Sequence, residues 1–193
     1  MSITYLHVTW EQYIDLTQKL AATILSYSPQ VNQIVAISRG GLTLGHFFAD
    51  LLRIPIATFA IQSYADVTRQ GEMKITEPLS IEIKGKHVLL VDDVSDTGKT
   101  LIRAQKYLSR FKPASITIAT MFFKPISIKR PDYFAKTTSA WIIFPYETAE
   151  TILSLTKTME KEGKTKKDIQ TFLKRLHFTD SQIKFVRKYH IKT

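Results

Sequence analysis

The sequence predicts an α/β domain of three layers, in which helices flank a mostly parallel sheet. Short, almost wholly apolar runs, which are typical of strands buried on both faces, alternate along the chain with single amphipathic stretches. The clearest runs are "QIVAIS" at 33–38, "HVLLVDD" at 87–93 and "SITIATMFFK" at 115–124. Strands that alternate with single helices favour parallel pairing, because a crossover helix returns the chain to the same edge of the sheet.

Three helices are predicted between and before these strands. The first covers about 10–27, and it begins after Thr9, which forms a capping box with Gln12. The second and third follow apolar runs and stop before prolines, at 42–52 and 100–111.

The remaining segments of this region are a polar loop and two short strands. The stretch "IATFAIQSY" at 56–64 leads into a polar segment at 65–80, whose length and composition predict a mobile loop. Two further strands are predicted at 132–137 and 140–144.

The pattern changes near residue 150, which divides the chain into a main domain at 1–149 and a basic helical extension at 150–193. The extension is expected to form two or three short helices, including one at 165–176 and one capped by Thr179 or Asp180. We expect it to pack on the domain or to build an oligomer.

The charge is concentrated in this extension. The chain has a formal charge of +10; residues 1–149 contribute +4, and residues 150–193, with 11 basic and 5 acidic residues, contribute +6. Such an excess is compatible with nucleic acid, membranes or small anions as partners. A nucleic-acid partner is disfavoured, because the extension also carries apolar residues for a packing face: Phe172, Leu173, Leu176, Ile183, Phe185 and Val186.

The chain has no cysteine, which excludes thiolate zinc sites, thiol nucleophiles and disulfides. The first residues have no basic run followed by an apolar core, and no stretch approaches the length of a membrane span. We therefore expect a soluble cytoplasmic protein with no membrane partner.

The stretch "VLLVDDVSDTGKTL" at 88–101 carries the most specific signal. It ends like a Walker A loop, but that motif requires glycine at position 93, where this chain has Asp93. What remains is a buried strand, a turn and a helix N-terminus, which together can hold a phosphate on backbone N–H groups. We assign that role to Thr97, Gly98, Lys99 and Thr100.

The aspartates of this stretch cannot face the same phosphate, because like charges repel strongly in a poorly screened site. Asp92 and Asp93 would instead suit the vicinal hydroxyls of a ribose and a magnesium ion. The plainer alternative is that Asp92 and Asp93 only end a strand, while Asp96 caps a helix.

The same stretch resembles the phosphoribosyl pyrophosphate (PRPP) signature of the type I phosphoribosyltransferases: an apolar run, two acids, two variable positions, then acid-Thr-Gly-x-Thr. Three other regions resemble that family in order and spacing, and together with the signature they indicate its 6-oxopurine branch. They are "ISRGGL" at 37–42 for the pyrophosphate loop, "SY" at 63–64 for the catalytic loop, and "FFKP" with "WIIFPYE" for the base site. The resemblance covers about 5–148 and implies a small hood beside the sheet domain.

The resemblance implies a role for each matched residue. Asp92 and Asp93 would bind the ribose hydroxyls and Mg²⁺, and residues 97–100 the 5'-phosphate. Asp96 would lie near N7 of the purine. At the base, Lys124 would donate to O6, Trp141 would stack on the ring, and the main chain near Ile142 would meet the 2-position edge. Pyrophosphate would bind to Ser38, Arg39 and Gly40.

The implied reaction is displacement of pyrophosphate from C1' of PRPP by N9 of hypoxanthine, guanine or xanthine. Ser63 and Tyr64, with Arg39 and Asp96, are the candidate catalytic residues, and the 65–80 segment would close over the reactants. In the family the peptide before the position of Arg39 is commonly cis. A homo-oligomer, either dimer or tetramer, is expected.

Two other functions stay open at this point. One is a non-enzymatic regulator on the same fold, which senses PRPP and binds nucleic acid through the basic extension, since folds host unrelated functions. The other is the same transfer to a different base, such as a pyrimidine. A cationic Lys124 at the base disfavours adenine, whose 6-amino group is itself a donor.

Overall fold

The computed structural model describes residues 4–66 and 69–191, and of residues 63–66 and 69–73 it describes the backbone alone. The strands are β1 (Tyr5–His7), β2 (Gln33–Ser38), β3 (Ile56–Asp66), β4 (Arg69–Glu77), β5 (His87–Ser95), β6 (Ser115–Phe123), β7 (Tyr133–Thr137) and β8 (Trp141–Ile143). The helices are α1 (Trp10–Tyr27), α2 (Gly40–Leu52), α3 (Lys99–Ser109), α4 (Thr148–Lys161), α5 (Lys166–Arg175) and α6 (Asp180–His190).

The chain divides into two compact units, residues 14–139 and residues 1–13 with 140–193. In the first unit, six strands form one sheet in the order β4-β3-β2-β5-β6-β7. All neighbours in this sheet are parallel except β3 and β4, which form an antiparallel pair. The predicted mostly parallel sheet is confirmed.

The helices of this unit lie on opposite faces of the sheet. On one face, Val35 and Leu90 belong to an apolar cluster that includes Leu101 and Leu108 of α3. On the other, Gly45 of α2 lies so close to Ala36 that an added Cβ would be 2.8 Å from the Ala36 Cβ. Because neighbouring residues of a strand point to opposite faces, α2 and α3 enclose the sheet, as the three-layer prediction requires.

The prediction of a loop at 65–80 is wrong for most of these residues. Backbone pairing forms β4 from Arg69 to Glu77, while residues 67–68 lie outside the described part of the chain. This strand is difficult to recognise in the sequence because β4 is at the edge of the sheet. One of its faces meets solvent, so the strand does not need a continuous apolar run. Ile75 packs against the core cluster while its neighbours Lys74 and Thr76 are exposed.

The second unit combines the two ends of the chain. β1 pairs in parallel with β8, so that Tyr5 is opposite Trp141 and Leu6 is opposite Ile142. An apolar cluster joins β8 to the three C-terminal helices: Ile143, Ile152, Ile169, Leu173, Phe178, Ile183 and Val186. The domain boundary at residue 149 stays a prediction. The second compact unit also contains residues 140–149, and helix α4 begins at Thr148.

The predicted helices of the extension are confirmed. Thr165 and Thr179 each accept a hydrogen bond from the backbone of the residue three positions on, and the side chain of that residue accepts one from the threonine N–H. These are capping boxes, which satisfy donors that a helix start leaves open. No helix among the described residues is long and apolar enough to cross a membrane.

Candidate active site

The end of β5 places two carboxylates inside the protein. Asp92 is 7% exposed and Asp93 is 8% exposed, and the N–H of Asp93 donates to Oδ1 of Asp92 at 3.0 Å. Burial raises the pKa of Asp92 well above its usual range, and the neighbouring charge of Asp93 raises it further. Two adjacent carboxylates in such surroundings are stabilised by a cation or by hydroxyl donors.

The loop after β2 reaches the same carboxylates. A Cβ built on Gly40 would lie 2.6 Å from Oδ2 of Asp93, and a Cβ on Gly41 would collide with the backbone at Val91. Only glycine therefore fits where α2 begins against β5. The structure thus brings Gly40 next to Asp93, and the peptide bond between Ser38 and Arg39 is cis, as the resemblance implies.

Gly41 is a residue whose importance sequence reasoning missed. Its signal was the doubled glycine of "RGG", which stands where a strand changes into a helix. Glycine is a poor helix former, but at the first turn its missing side chain allows α2 to approach the neighbouring strand.

The predicted phosphate loop at 97–100 lies at the start of α3. Gly98, with φ +81°, precedes the first helical residue, Lys99. Thr97 and Lys99 are exposed, and no acidic residue occupies the first turn of α3. The positive end of the helix dipole is therefore available to an anion.

Lys124 and Asp96 meet at the end of the neighbouring strand. Lys124 directly follows β6, its N–H donates to the carbonyl oxygen of Ser95 at 3.0 Å, and its Nζ lies 2.9 Å from Oδ1 of Asp96. The lysine side chain is 15% exposed, whereas the aspartate side chain is 57% exposed. A mostly buried cation therefore stands beside an accessible carboxylate, at the same edge of the sheet as Asp92 and Asp93.

Trp141 and Ile142 belong to the other compact unit and are described within it. In β8, Ile142 is buried, but Trp141 is 57% exposed, and the backbone N–H of Trp141 donates to the carbonyl oxygen of Thr4 at 2.8 Å. An indole ring that is mostly exposed can stack on a planar ligand.

Ser63 and Tyr64 lie in β3, opposite Met73 and Glu72 of β4. Their side chains lie outside the described part of the chain, so their proposed catalytic role stays a prediction.

The donor set at Asp92 and Asp93 fits magnesium. Among the described residues there is no cluster of three or more His, Cys, Asp or Glu side chains that could hold a metal ion. Mg²⁺ in phosphoryl chemistry is usually bound by one or two carboxylates, with substrate oxygens and water completing its shell. Two adjacent buried carboxylates have the donor atoms of such a partial site.

Comparisons with known proteins identify the family of the chain. The sequence model of the family "Phosphoribosyl transferase domain" matches residues 9–151. A hypoxanthine phosphoribosyltransferase from Haemophilus influenzae is 38% identical over 104 residues, which cover 50% of this chain and 56% of that enzyme. The chain therefore aligns with little more than half the length of that relative.

Solved structures show the same fold. A purine phosphoribosyltransferase from Pyrococcus horikoshii is 31% identical, with a TM-score of 0.69, over 75% of this chain and 94% of that one. A xanthine-guanine-hypoxanthine phosphoribosyltransferase from Helicobacter pylori, at 22% identity and a TM-score of 0.66, covers 78% of this chain and 98% of its own, and it supports the fold alone. With the family match over residues 9–151, these findings establish that the chain belongs to the phosphoribosyltransferase family.

Proposed function

We propose that this protein transfers the phosphoribosyl group from PRPP to N9 of a 6-oxopurine, with release of pyrophosphate and formation of a nucleoside 5'-monophosphate. One observation carries the proposal: the buried pair Asp92 and Asp93 lies at the same strand end as the open N-terminus of α3 and the ion pair of Lys124 with Asp96. A ribose that carries a phosphate, bound beside a polar base, requires these groups together.

The 5'-phosphate binds to residues 97–100. Backbone N–H groups at the start of α3 donate to its oxygens, and the hydroxyls of Thr97 and Thr100 add donors. The exposed position of Thr97 and the absence of an acid in the first turn of α3 support this assignment.

Asp92 and Asp93 accept hydrogen bonds from the two ribose hydroxyls and hold Mg²⁺. When bound, Mg²⁺ neutralises charge on the diphosphate leaving group. The two carboxylates are buried and repel each other, so they bind such partners with little competition from water.

Ser38, Arg39 and Gly40 form the pyrophosphate site. Arg39 lies in the exposed turn between β2 and α2, where a guanidinium can donate to phosphate oxygens in a forked geometry. Its positive charge stabilises the leaving group as the bond from C1' to the diphosphate oxygen breaks.

The base is recognised by Lys124, which donates to O6. The lone pair of N9 attacks C1' while N7 carries the proton of the base, and Asp96 accepts that proton as the N9–C1' bond forms. The 2.9 Å contact between Lys124 and Asp96 supports a shared role, because one holds O6 and the other meets the adjacent N7.

The resemblance assigns Trp141 to stacking on the purine and the main chain near Ile142 to its 2-position edge, and both roles stay predictions. The exposed ring of Trp141 supports the first role. Ser63 and Tyr64 in β3 are assigned to catalysis, as the resemblance implies.

The base class follows from the lysine. A cation at position 6 suits hypoxanthine, guanine and xanthine, whereas the 6-amino group of adenine would face it as a second donor. The Haemophilus influenzae relative is a hypoxanthine phosphoribosyltransferase, so hypoxanthine is the first base to test. A cytoplasmic location and a dimeric or tetrameric assembly stay predictions.

The experiment is an assay with PRPP, Mg²⁺ and, in separate reactions, hypoxanthine, guanine, xanthine, adenine and uracil. The proposal expects turnover with at least one oxopurine and at least a hundred-fold lower kcat/KM with adenine, about 2.7 kcal/mol of discrimination. Turnover with uracil alone would indicate a pyrimidine enzyme. Binding of PRPP without any turnover would indicate a regulator.

A further inference from the structure

A buried serine hydroxyl connects the phosphate loop to the segment that follows Lys124. Ser95, the last residue of β5, is 0% exposed, and its Oγ lies 2.8 Å from Oγ of Ser127 and 2.7 Å from the carbonyl oxygen of Lys129. Ser95 donates to Lys129, and Oγ of Ser127 lies 3.1 Å from the same carbonyl oxygen and accepts from the N–H of Lys129 at 3.3 Å. Ser127 and Lys129, the two partners of Ser95, belong to residues 124–131, which we call the 124–131 loop.

Backbone hydrogen bonds join the same two segments. The N–H of Lys124 donates to the carbonyl oxygen of Ser95 at 3.0 Å, and the N–H of Ile128 donates to that of Thr97 at 3.1 Å. Within the 124–131 loop, the N–H of Ser127 donates to the carbonyl oxygen of Lys124 at 2.9 Å. The turn between β5 and α3 is therefore fixed to this loop at two successive points.

Gly98 shows how closely the two segments approach. A Cβ built on Gly98 would lie 2.5 Å from both the backbone nitrogen of Lys129 and Oγ of Ser127. The phosphate loop therefore rests directly on the 124–131 loop, and its backbone path depends on where Ser127 and Lys129 lie.

We propose that Ser95 and Ser127 are positioning residues, which hold the N–H groups of residues 97–100 in the geometry that binds the 5'-phosphate of PRPP. The inference rests on the proposed function, since it concerns the same phosphate loop. Donors that are already aimed at an anion need no ordering when the anion arrives, so a fixed turn binds more tightly than a loose one. Because the 124–131 loop begins at Lys124, the same contacts also fix the residue that reads O6.

The test measures kcat and KM for PRPP, at saturating hypoxanthine, in Ser95→Ala, Ser127→Ala and the double variant. Each single change is expected to raise KM for PRPP about five-fold with kcat within about two-fold, as for one lost hydrogen bond. The effect of the double variant is expected to be smaller than the product of the two single effects, because both changes remove the shared contact between Ser95 and Ser127. Ser127→Thr keeps the hydroxyl and is expected to restore KM.

A matched control lies at the other end of the same two strands. Oγ of Ser115 is 2.9 Å from Nδ1 of His87, which joins β6 to β5 far along the strands from Ser95. Ser115→Ala is expected to lower Tm and to leave KM for PRPP unchanged.

Two results would overturn the inference. One is a lower Tm with unchanged KM for PRPP in both Ser95→Ala and Ser127→Ala, and the other is independent, additive effects of the two changes. If Ser95→Ala fails to fold, Ser127→Ala and Ser127→Thr decide, because Ser127 is partly exposed in a loop. An inactive wild type that binds no PRPP would instead refute the proposed function, so the two failures are distinguishable.

Discussion

The two compact units differ in how deeply their charged side chains are buried. In residues 14–139, Asp92 and Asp93 are buried at a strand end, and the ion pair of Lys124 with Asp96 has a largely buried lysine. In residues 1–13 and 140–193, the core is apolar, and the ion pair of Lys174 with Asp180 is about half exposed on both sides. Buried charge lowers stability, and in this chain it lies at the candidate site. The extension has the larger positive charge and carries part of it on exposed helix surface.

The largest effect is expected at Asp92, where function and stability should change in opposite directions. Asp92→Asn is expected to lower kcat/KM for PRPP about a thousand-fold, ~4 kcal/mol, because a charged ligand to ribose and Mg²⁺ is lost. The same variant should have a higher Tm at pH 7, because the raised pKa of Asp92 marks its charge as unfavourable in the folded state. Thermal unfolding and steady-state kinetics on the same preparation check both.

The pH dependence of stability follows from the same carboxyl. The pKa of Asp92 is raised in the folded protein. The stability that its protonated form contributes is therefore fully present below the unfolded pKa of 3.8 and is lost as pH rises through the folded pKa. The wild type should therefore lose stability relative to Asp92→Asn over that rise. An equal dependence on pH in both proteins would contradict the assignment.

Leu173 tests the apolar core of the second unit. It is 0% exposed and belongs to the cluster of β8 and the C-terminal helices. Leu173→Ala is expected to lower the free energy of unfolding by about 3 kcal/mol through the cavity it leaves. Leu155→Ala, at a partly buried residue beside the same cluster, is the control, and a loss at Leu173 no larger than at Leu155 would show that α5 is not packed as described.

The two lysine ion pairs give a direct contrast between the units. Lys124→Ala is expected to lower kcat/KM for hypoxanthine about thirty-fold, ~2 kcal/mol, with KM for PRPP unchanged, because it removes a charged donor to O6. Lys174→Ala should leave both unchanged and cost less than about 0.5 kcal/mol of stability, since exposed ion pairs contribute little. Equal losses toward both substrates in Lys124→Ala would place the lysine elsewhere.

A smaller effect than at Asp92, Leu173 or Lys124 is expected at the capping box of α6. Thr179 accepts from the N–H of Gln182 at 3.3 Å, so Thr179→Ala is expected to cost about 1 kcal/mol of stability without a change in kcat. Thr179→Ser, which keeps the hydroxyl, is the control in chemical denaturation. A change in kcat for the alanine variant alone would connect the extension to the reaction.

Sequence could predict what is contiguous along the chain. Residues 92–100 form one motif on one strand, turn and helix, so the positions of the two carboxylates at a strand end and of residues 97–100 at a helix N-terminus were predicted correctly. The helices at 10–27 and 165–176 followed from periodicity and capping residues, because those signals are local.

The features that sequence did not predict depend on distant partners. β1 has three residues and exists through pairing with β8, more than 130 positions away, so periodicity could not indicate it. β4 has a polar sequence because it is an edge strand. The contacts of Ser95 with Ser127 and Lys129 cross about 30 positions, and a single serine after two aspartates gives no sign of them.

Product analysis tests the central claim most directly. The wild-type protein is incubated with hypoxanthine, PRPP and Mg²⁺, with Asp92→Asn in parallel, and nucleotide and pyrophosphate are quantified by mass spectrometry and an enzymatic assay. We predict inosine 5'-monophosphate, linked through N9, in equal amount to pyrophosphate, and almost none of either with Asp92→Asn. Pyrophosphate without nucleotide, or neither product from a wild type that binds PRPP, would contradict it.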